Sequence, residues 1–229
     1  MIRRVEMLVE QPYRSLFRLF SYFNRPSLYQ ENLALKKNLL ENSERELKAR
    51  YLEYENFKLK ELVEFRGSLD KKTVVARLKE YWGKNHRGEI TIDRGKDCQL
   101  KIGQAVLTKD GLFGQLIAVA EKTSLVLPVY SRDSAIPVLN LRNGLQSIVI
   151  GTGAGNNLSI VNIQETADYL KGDQLVTSGL GGAIGAGYLV GTVHEIRKIA
   201  HEAFMEVTVT PNIIFSKDLY VLVVLDDES

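Results

Sequence analysis

The chain has 229 residues, with 30 Lys and Arg against 28 Asp and Glu, 45% hydrophobic residues, 18 Gly and a single Cys. This length is enough for one or two globular domains with buried cores. A formal net charge of +2 is too small for the strongly basic field that usually holds a protein on nucleic acid, so no nucleic-acid partner is predicted. One Cys excludes an internal disulfide and a Cys-rich zinc site, and the sequence contains no run of 18 apolar residues that would span a bilayer.

The distribution of glycine divides the chain into two differently built parts. All 18 glycines lie at Gly67 or later, and no proline occurs between Pro26 and Pro128. Residues 27–66 therefore contain neither of the residues that most often interrupt helices. The sequence predicts a long helix there and a different architecture beyond it.

Residues 1–27 combine a basic excess with an apolar stripe. Five Arg stand against two Glu in this segment. The apolar side chains follow the i, i+3, i+4 spacing of one helix face. They are Val5, Leu8, Val9, Tyr13, Leu16, Phe17 and Phe20. Such a face suits a membrane surface, and packing of an ordinary helix against its own protein explains it equally well.

Residues 28–66 are predicted to form a coiled-coil helix. Three leucines and a tyrosine recur every seven residues, and Glu44 and Tyr51 stand at intervening positions. A second frame through Asn32, Leu35 and Leu39 is weakened by Asn42 and Glu46, so the register drifts. A parallel homodimer is favoured over a lone helix that packs on the following domain. The residues predicted to mediate self-association are Leu33, Leu40, Leu47, Tyr51 and Tyr54.

After residue 67 the sequence changes to short apolar runs with period two, separated by turn residues, which is typical of β-strands. Hairpin turns are predicted at residues 109–111 and 142–144, because the glycine that ends each one accepts positive φ. So many short strands without intervening helices indicate a sandwich or barrel architecture. The predicted strands are Thr73–Lys79, Glu89–Asp93, Gln104–Thr108, Gly114–Ala120, Ser124–Tyr130, Ile136–Leu141, Gln146–Gly151, Leu158–Gln164, Gln174–Thr177, Leu189–Lys198, Ala203–Thr210 and Leu219–Leu225.

A faint internal repeat predicts two similar small barrels in tandem. Residues 101–119 and 171–193 each read as a turn, a short strand, a Gly-rich corner and a longer strand. Chance similarity between two ordinary hairpins is the alternative. The predicted fold is mainly β with a long N-terminal α-helix: a coiled-coil helix followed by two small six-stranded antiparallel β-barrel-like domains. The first barrel would span residues 67–131 and be completed by residues 217–226, and the second would span residues 132–216.

No catalytic, metal or cofactor site is predicted. The histidines at positions 86, 194 and 201 have no neighbouring Cys and do not form a set of three or four convergent metal donors. Ser178 stands in no serine-hydrolase motif and reads as a turn residue, and nothing in the sequence activates Cys98. The competing hypothesis is a catalytically active secreted double-barrel hydrolase, in which His194 or His201 meets a Ser and an Asp.

Strings that follow one another along the second part of the chain resemble the cell-shape protein family MreC. The most specific is Val176-Thr-Ser-Gly-Leu-Gly-Gly182, whose corner consists of Thr177, Ser178, Gly179, Leu180, Gly181 and Gly182. The other strings are Ile90–Gly95, Val106–Gln115, Ser131–Val138, Gly151–Gly153, Lys171–Asp173 and Gly185–Gly191. The preceding helix matches as well, through Glu31-Asn32 and Glu55-Asn56, so the resemblance extends over residues 28–226.

The resemblance implies a non-enzymatic scaffold of the bacterial elongation (rod) complex that controls cell shape and lateral peptidoglycan synthesis. It implies a periplasmic protein, anchored to the inner membrane by a transmembrane helix absent from this chain, and residues 1–27 then become a juxtamembrane amphipathic segment. The implied partners are further copies of the chain, a class B penicillin-binding transpeptidase that the scaffold activates, and the proteins MreD, RodA and MreB. No cofactor is implied.

Two points of the resemblance stay open at the level of sequence. The family usually has a proline in the corner after the Gly-Gly pair, where this chain has Ile184-Gly185-Ala186-Gly187, so the rigidity of that loop is not carried over. The resemblance also does not say which surface binds the transpeptidase. Phe113 and Tyr130 are the candidates, although a core position is favoured for each.

Overall fold

The computed structural model describes residues 25–80, 88–153, 157–182, 184–198, 204–213 and 220–225. The chain divides into two compact units, residues 1–54 and 55–229. The described residues of the first unit are helical, and the second unit holds the last turns of the same helix and all the described strands. The amphipathic segment predicted over residues 1–27 lies outside the described residues, apart from the helical residues 25–27.

Helix α1 runs without a break from Arg25 to Gly67, which is 43 residues or about 65 Å. Pro26 lies in its first turn, where a missing amide hydrogen costs no helical hydrogen bond. The helix ends at the first glycine of the chain, and Ser68 donates from both its amide and its hydroxyl to the carbonyl of Phe65. Among the described residues, no helix is both long and apolar enough to cross a membrane.

The residues after the helix form two closed six-stranded antiparallel barrels, as the period-two pattern predicts. Around the first barrel the order is β1-β12-β3-β4-β5-β2, and around the second it is β10-β11-β8-β7-β6-β9. The last strand lies in the first barrel, where Val223 pairs with Val74 of β1 and with Val106 of β3. The strands are β1 (Thr73–Glu80), β2 (Ile90–Ile92), β3 (Ala105–Thr108), β4 (Gly111–Val119), β5 (Ser124–Pro128), β6 (Ala135–Asn140), β7 (Gln146–Gly151), β8 (Leu158–Gln164), β9 (Gln174–Thr177), β10 (Leu189–Lys198), β11 (Phe204–Pro211) and β12 (Tyr220–Val224).

The barrel interiors are filled by residues that alternate along the strands. In β2, for example, Ile90 and Ile92 are fully buried and Thr91 between them is half-buried. Strands β3 and β12 depart from this rule, because all four residues of β3 and the last four of β12 are buried. The outer side of these two strands must therefore be covered by another part of the protein.

The last turns of α1 supply that cover. Leu62 is buried in the same hydrophobic cluster as the barrel residues, and Phe65 packs against that cluster. Polar contacts hold the helix beside β12: the Tyr220 hydroxyl donates a hydrogen bond to Glu55. Arg77 of β1 lies 3.6 Å from the Glu55 carboxylate, and its guanidinium stands 5.8 Å from the centre of the Tyr220 ring. The end of the helix is therefore part of the first barrel's core.

The internal repeat corresponds to one hydrogen-bond pattern used in both barrels. In each, a glycine with positive φ donates its amide to the carbonyl of a residue on a later strand, and that residue's amide bonds back to the residue after the glycine. The side chain of the residue after the glycine also accepts the backbone amide three positions earlier. The equivalent residues are Gly103 and Gly172, Gln104 and Asp173, and Leu116 and Val193.

Candidate interaction surfaces

The five residues predicted to mediate self-association lie on α1 with their side chains exposed. Their relative exposures run from 44% for Tyr54 to 68% for Leu40. Leu35 and Leu39 of the second frame are 56% and 68% exposed. Both apolar frames are therefore open in a single chain, and large exposed apolar surface is typical of a site where another surface binds.

The corner between β9 and β10 is built around the hydroxyl of Thr177, which is buried. This hydroxyl donates to the carbonyl of Gly185 at 2.6 Å and accepts the amide of Tyr188 at 3.0 Å, so it closes the base of the loop. The three glycines of the corner have φ between +72° and +85°, a conformation that residues with a side chain rarely adopt. The residue types of Val176–Gly182 are thus explained by the conformation of the corner, which needs the threonine hydroxyl and the glycines.

The tip of the same corner carries an exposed leucine. The Ser178 hydroxyl accepts a hydrogen bond from the amide of Leu180, and the Leu180 side chain is 64% exposed. In the segment where the family usually has a proline, Ile184 is buried with 7% of its surface exposed. Packing of Ile184 against the hydrophobic core therefore anchors this loop, in place of the fixed φ of a proline.

The structure places the two candidates for partner binding differently. Phe113 has a relative exposure of 0% and belongs to the core, not to a surface. It is buried together with its neighbour Leu112, since the chain after β5 runs alongside it and the Val129 amide donates to the Phe113 carbonyl. Tyr130 is half-buried, and its hydroxyl donates to the carbonyl of Gly88 at 3.4 Å. Tyr130 remains a candidate contact.

An apolar surface that the sequence reasoning missed lies on the outside of the second barrel. In the register of β6 and β7, Pro137 pairs with Ile148, and the residues that alternate with them point into the core. Ile148 is 46% exposed. The signal in the sequence is that the outward-facing residues of these two strands are apolar apart from Gln146, where they would be polar on an ordinary solvated face. This β6–β7 face consists of Ala135, Pro137, Leu139, Ile148 and Ile150, with Gln146 at its edge opposite Leu139.

A polar network at the end of the second barrel centres on Asp173, whose side chain is only 4% exposed. Its carboxylate accepts hydrogen bonds from Asn140 Nδ2 at 2.7 Å, Arg142 Nε at 2.7 Å and the Leu170 amide at 2.9 Å. Arg142 also donates to Asp168 at 2.7 Å. The hydrogen bonds, led by that of Arg142, lower the pKa of Asp173 from 3.8 to about 2 against the effect of burial. Arg142 thus bridges a buried carboxylate, Asp173, and an exposed one, Asp168.

The residues of the hydrolase hypothesis are placed as follows. His194 is exposed on β10, and His86 and His201 lie outside the described residues. The Ser178 amide donates a hydrogen bond to the Pro137 carbonyl of β6, and the Ser178 hydroxyl accepts one from the Leu180 amide within the turn. Cys98 is half-buried, and burial raises the pKa of its thiol. Within the described ranges, no three His, Cys, Asp or Glu side chains are grouped as a metal site would need.

Comparison with known proteins adds a family to this geometry. Residues 80–225 match the family described as "Rod shape-determining protein MreC, barrel core". A relative from Haemophilus influenzae, "Cell shape-determining protein MreC", is 35% identical over 192 residues, which cover 84% of this chain and 55% of the relative. The chain thus spans about half the length of that curated relative.

Solved structures show the same fold. The crystal structure of MreC from Pseudomonas aeruginosa is 36% identical, with a TM-score of 0.64, and the match covers 67% of this chain and 99% of that chain. A chain of the complex between the penicillin-binding protein PBP2 and MreC from Helicobacter pylori has a TM-score of 0.53 at 17% identity. This match covers 68% of the present chain and 100% of the other, and shows likeness of fold.

Proposed function

This chain belongs to the MreC family of rod shape-determining proteins, and on that premise we propose that it is a non-enzymatic periplasmic scaffold of the bacterial elongation complex. In this role it self-associates and binds a class B penicillin-binding transpeptidase, which it activates for lateral peptidoglycan synthesis. MreD, RodA and MreB are its further associates, and a transmembrane helix anchors it to the inner membrane. The observation that carries the proposal is the pair of exposed apolar surfaces, one on α1 and one on the second barrel.

Two surfaces are what a scaffold needs, because linked binding sites raise the effective concentration of one partner near another. In Helicobacter pylori, MreC forms a complex with the penicillin-binding protein PBP2, and a chain of that complex has the fold of the present protein. That complex supports a penicillin-binding protein as the partner of the present chain. The names of the curated relatives support cell shape as the process that it serves.

Self-association is supported by the state of α1 before Glu55. Its exposed ion pairs, Lys37 with Glu41 and Glu46 with Arg50, each add only a few tenths of a kcal/mol to an isolated helix. Most of the stability of protein helices comes from packing of an apolar face. A second copy of α1 would provide this packing through the exposed leucines of the heptad frame.

The double substitution Leu40→Glu and Leu47→Glu is expected to convert the dimer to a monomer. It removes four leucine side chains from a two-stranded interface, each worth about 1.5–3 kcal/mol when buried, and puts carboxylates in their place. Size-exclusion chromatography with light scattering measures the mass of the parent chain and of the variant.

The matched control is Asn38→Glu with Ser43→Glu, which adds the same charge to the same helix outside both apolar frames. This control should keep the mass of the parent. A parent chain that is monomeric, or an unchanged mass for the leucine variant, would rule out self-association through this frame.

The β6–β7 face is the proposed contact for the transpeptidase. It presents five apolar side chains and Gln146 on two neighbouring strands of a closed sheet, with no charged residue among them. Apolar side chains at the centre of a binding surface contribute most when a partner excludes water from them. Ile148, the most exposed large apolar residue of the β6–β7 face, is the natural position to test.

Replacing Ile148 by Glu is expected to weaken binding to the class B transpeptidase by tenfold or more, which corresponds to about 1.4 kcal/mol or more. The glutamate would have to lose its water in an apolar contact. Biolayer interferometry with the purified transpeptidase gives the Kd of the parent chain and of the variant.

Ile102→Glu is the control, since Ile102 is 68% exposed on the first barrel, away from β6 and β7 in the sheet order. Its Kd should equal that of the parent. Equal Kd values for parent and Ile148 variant would remove the β6–β7 face from the proposal, and equal losses at both positions would point to a non-specific effect of charge.

A further inference from the structure

The turn between β3 and β4 contacts two other parts of the second unit, the end of α1 and the second barrel. Lys109 Nζ lies 2.7 Å from a carboxylate oxygen of Glu61, in the last turns of α1. One residue further on, the Asp110 carbonyl accepts a hydrogen bond from Asn212 Nδ2, which follows β11 of the second barrel. A two-residue tip of the first barrel is thus bonded to the helix on one side and to the other barrel on the other.

Gly111 brings the same turn into direct backbone contact with the second barrel. A Cβ added at this position would lie 2.4 Å from the Leu189 carbonyl oxygen of β10, and φ of Gly111 is +148°. The obstacle is backbone, so a flexible side chain cannot move aside to relieve the clash. Only glycine allows the two barrels to come this close at this point.

An open cleft of about 360 Å³ borders the turn, and its lining includes Phe65, Leu107, Tyr188 and Asn212. The barrels are therefore not packed against each other within this cleft. Domains joined by a small interface move relative to one another unless specific contacts fix them. The contacts of the turn are therefore among those that hold the two barrels in one orientation.

We propose that the β3–β4 turn, Thr108–Gly111, is a joint that fixes the relative orientation of the two barrels and couples it to the end of α1. The Asn212 bond and the Gly111 contact hold the second barrel, and the Lys109–Glu61 ion pair holds the helix. A force or a partner that shifts the helix end then acts on the turn, and through it on the second barrel. This coupling does not depend on which partner the protein binds.

Distance measurements between the barrels test the joint in the full chain. Cysteines introduced by Lys122→Cys in the first barrel and Glu206→Cys in the second, on a Cys98→Ser background, carry spin labels at exposed positions. Double electron–electron resonance should give one narrow distance distribution for the parent. Gly111→Ala should shift that distribution and broaden it about twofold. The added methyl group would push the turn away from β10, and the two barrels would then be free to change their relative orientation.

Two further variants separate the joint from general strain. Asn212→Ala removes only the bond to Asp110 from an exposed residue, and it should broaden the distribution without changing the circular dichroism spectrum. Gly144→Ala also puts a side chain at positive φ (+74°) in another hairpin, where nothing lies within 4 Å of the added atom, and it should leave the distances unchanged. If Gly111→Ala fails to fold, Asn212→Ala decides the result. An unchanged distribution in Asn212→Ala, or equal broadening in Gly144→Ala, overturns the proposal.

Discussion

Replacing Phe113 by Ala is expected to lower the free energy of unfolding by about 3–5 kcal/mol, because a fully buried aromatic side chain is removed and a cavity remains. Phe113 is 0% exposed and is among the largest buried side chains of the second unit. Its neighbours are strands of a closed barrel, which cannot collapse far into the space that the ring leaves. Urea unfolding followed by far-ultraviolet circular dichroism measures the change.

Phe204→Ala is the matched control for this prediction. The chemical change is the same, but Phe204 is 51% exposed at the start of β11, so its loss should cost less than about 1 kcal/mol. The comparison also separates the two roles that the sequence leaves open for Phe113. A variant at Phe113 that kept its stability and lost only affinity for the transpeptidase would restore the partner-binding role and contradict the core position.

The barrels can be predicted from the sequence because their strands carry a strong local signal. Short apolar runs with turn residues between them fix the number of strands, and glycines mark the corners where positive φ is needed. The sequence predicts the start of β4 at Gly114, and the strand begins at Gly111. The difference arises because the pattern places the strand after the glycines of the turn, whereas the ladder already pairs Thr108 with Gly111.

Burial on the outer side of a barrel strand cannot be predicted in the same way. Residues of β3 and β12 are buried on both sides because the end of α1 covers them, and this contact joins segments far apart in the chain. The choice between core and surface for Phe113 stays open at the level of sequence for the same reason. Local pattern shows that a residue faces one side of a strand, but not what lies on that side.

Of the two candidate surfaces, one can be predicted from the sequence and the other cannot. The heptad frame of α1 follows from periodicity alone, and its residues lie exposed on the part of the helix before Glu55. The β6–β7 face is hard to predict from the sequence because apolar residues on the outward side of a strand normally indicate that this side is buried as well. The outward-facing side chains of Pro137 and Ile148 are partly exposed to solvent. Only the pairing of the two strands shows that these residues lie side by side.

Asp173 shows how a weak motif can acquire a physical meaning. In sequence, Lys171–Asp173 is one of several resembling strings, and the internal repeat aligns this region with residues near Gln104. In the structure both side chains accept the turn amide three residues earlier, so the position needs an acceptor in each barrel. The second barrel has a carboxylate at this position. It accepts hydrogen bonds from Asn140 at the end of β6 and from Arg142 in the loop after it.

Replacing Asp173 by Ala is therefore expected to lower the free energy of unfolding by about 3 kcal/mol at neutral pH, since Asn140 is fully buried and would lose its acceptor. The Leu170 amide and Arg142 lose theirs as well. Urea unfolding of parent and variant gives the difference. Asp168→Ala is the control: it breaks the other ion pair of Arg142, but the Asp168 side chain is 63% exposed, so water replaces the contact and the effect should be much smaller.

The effect of Asp173 should also depend on pH in a defined direction. Its pKa is about 2 in the folded protein, against 3.8 for the ordinary carboxyl group of an unfolded chain. The charged form thus adds stability at every pH above about 4, and this part, about 2 kcal/mol, is lost as the pH falls from about 4 to 2. The stability difference between parent and Asp173→Ala should narrow over that range. A difference that stays constant from pH 7 to pH 2 would show that the carboxylate charge contributes nothing, and that Asp173 acts only through its shape.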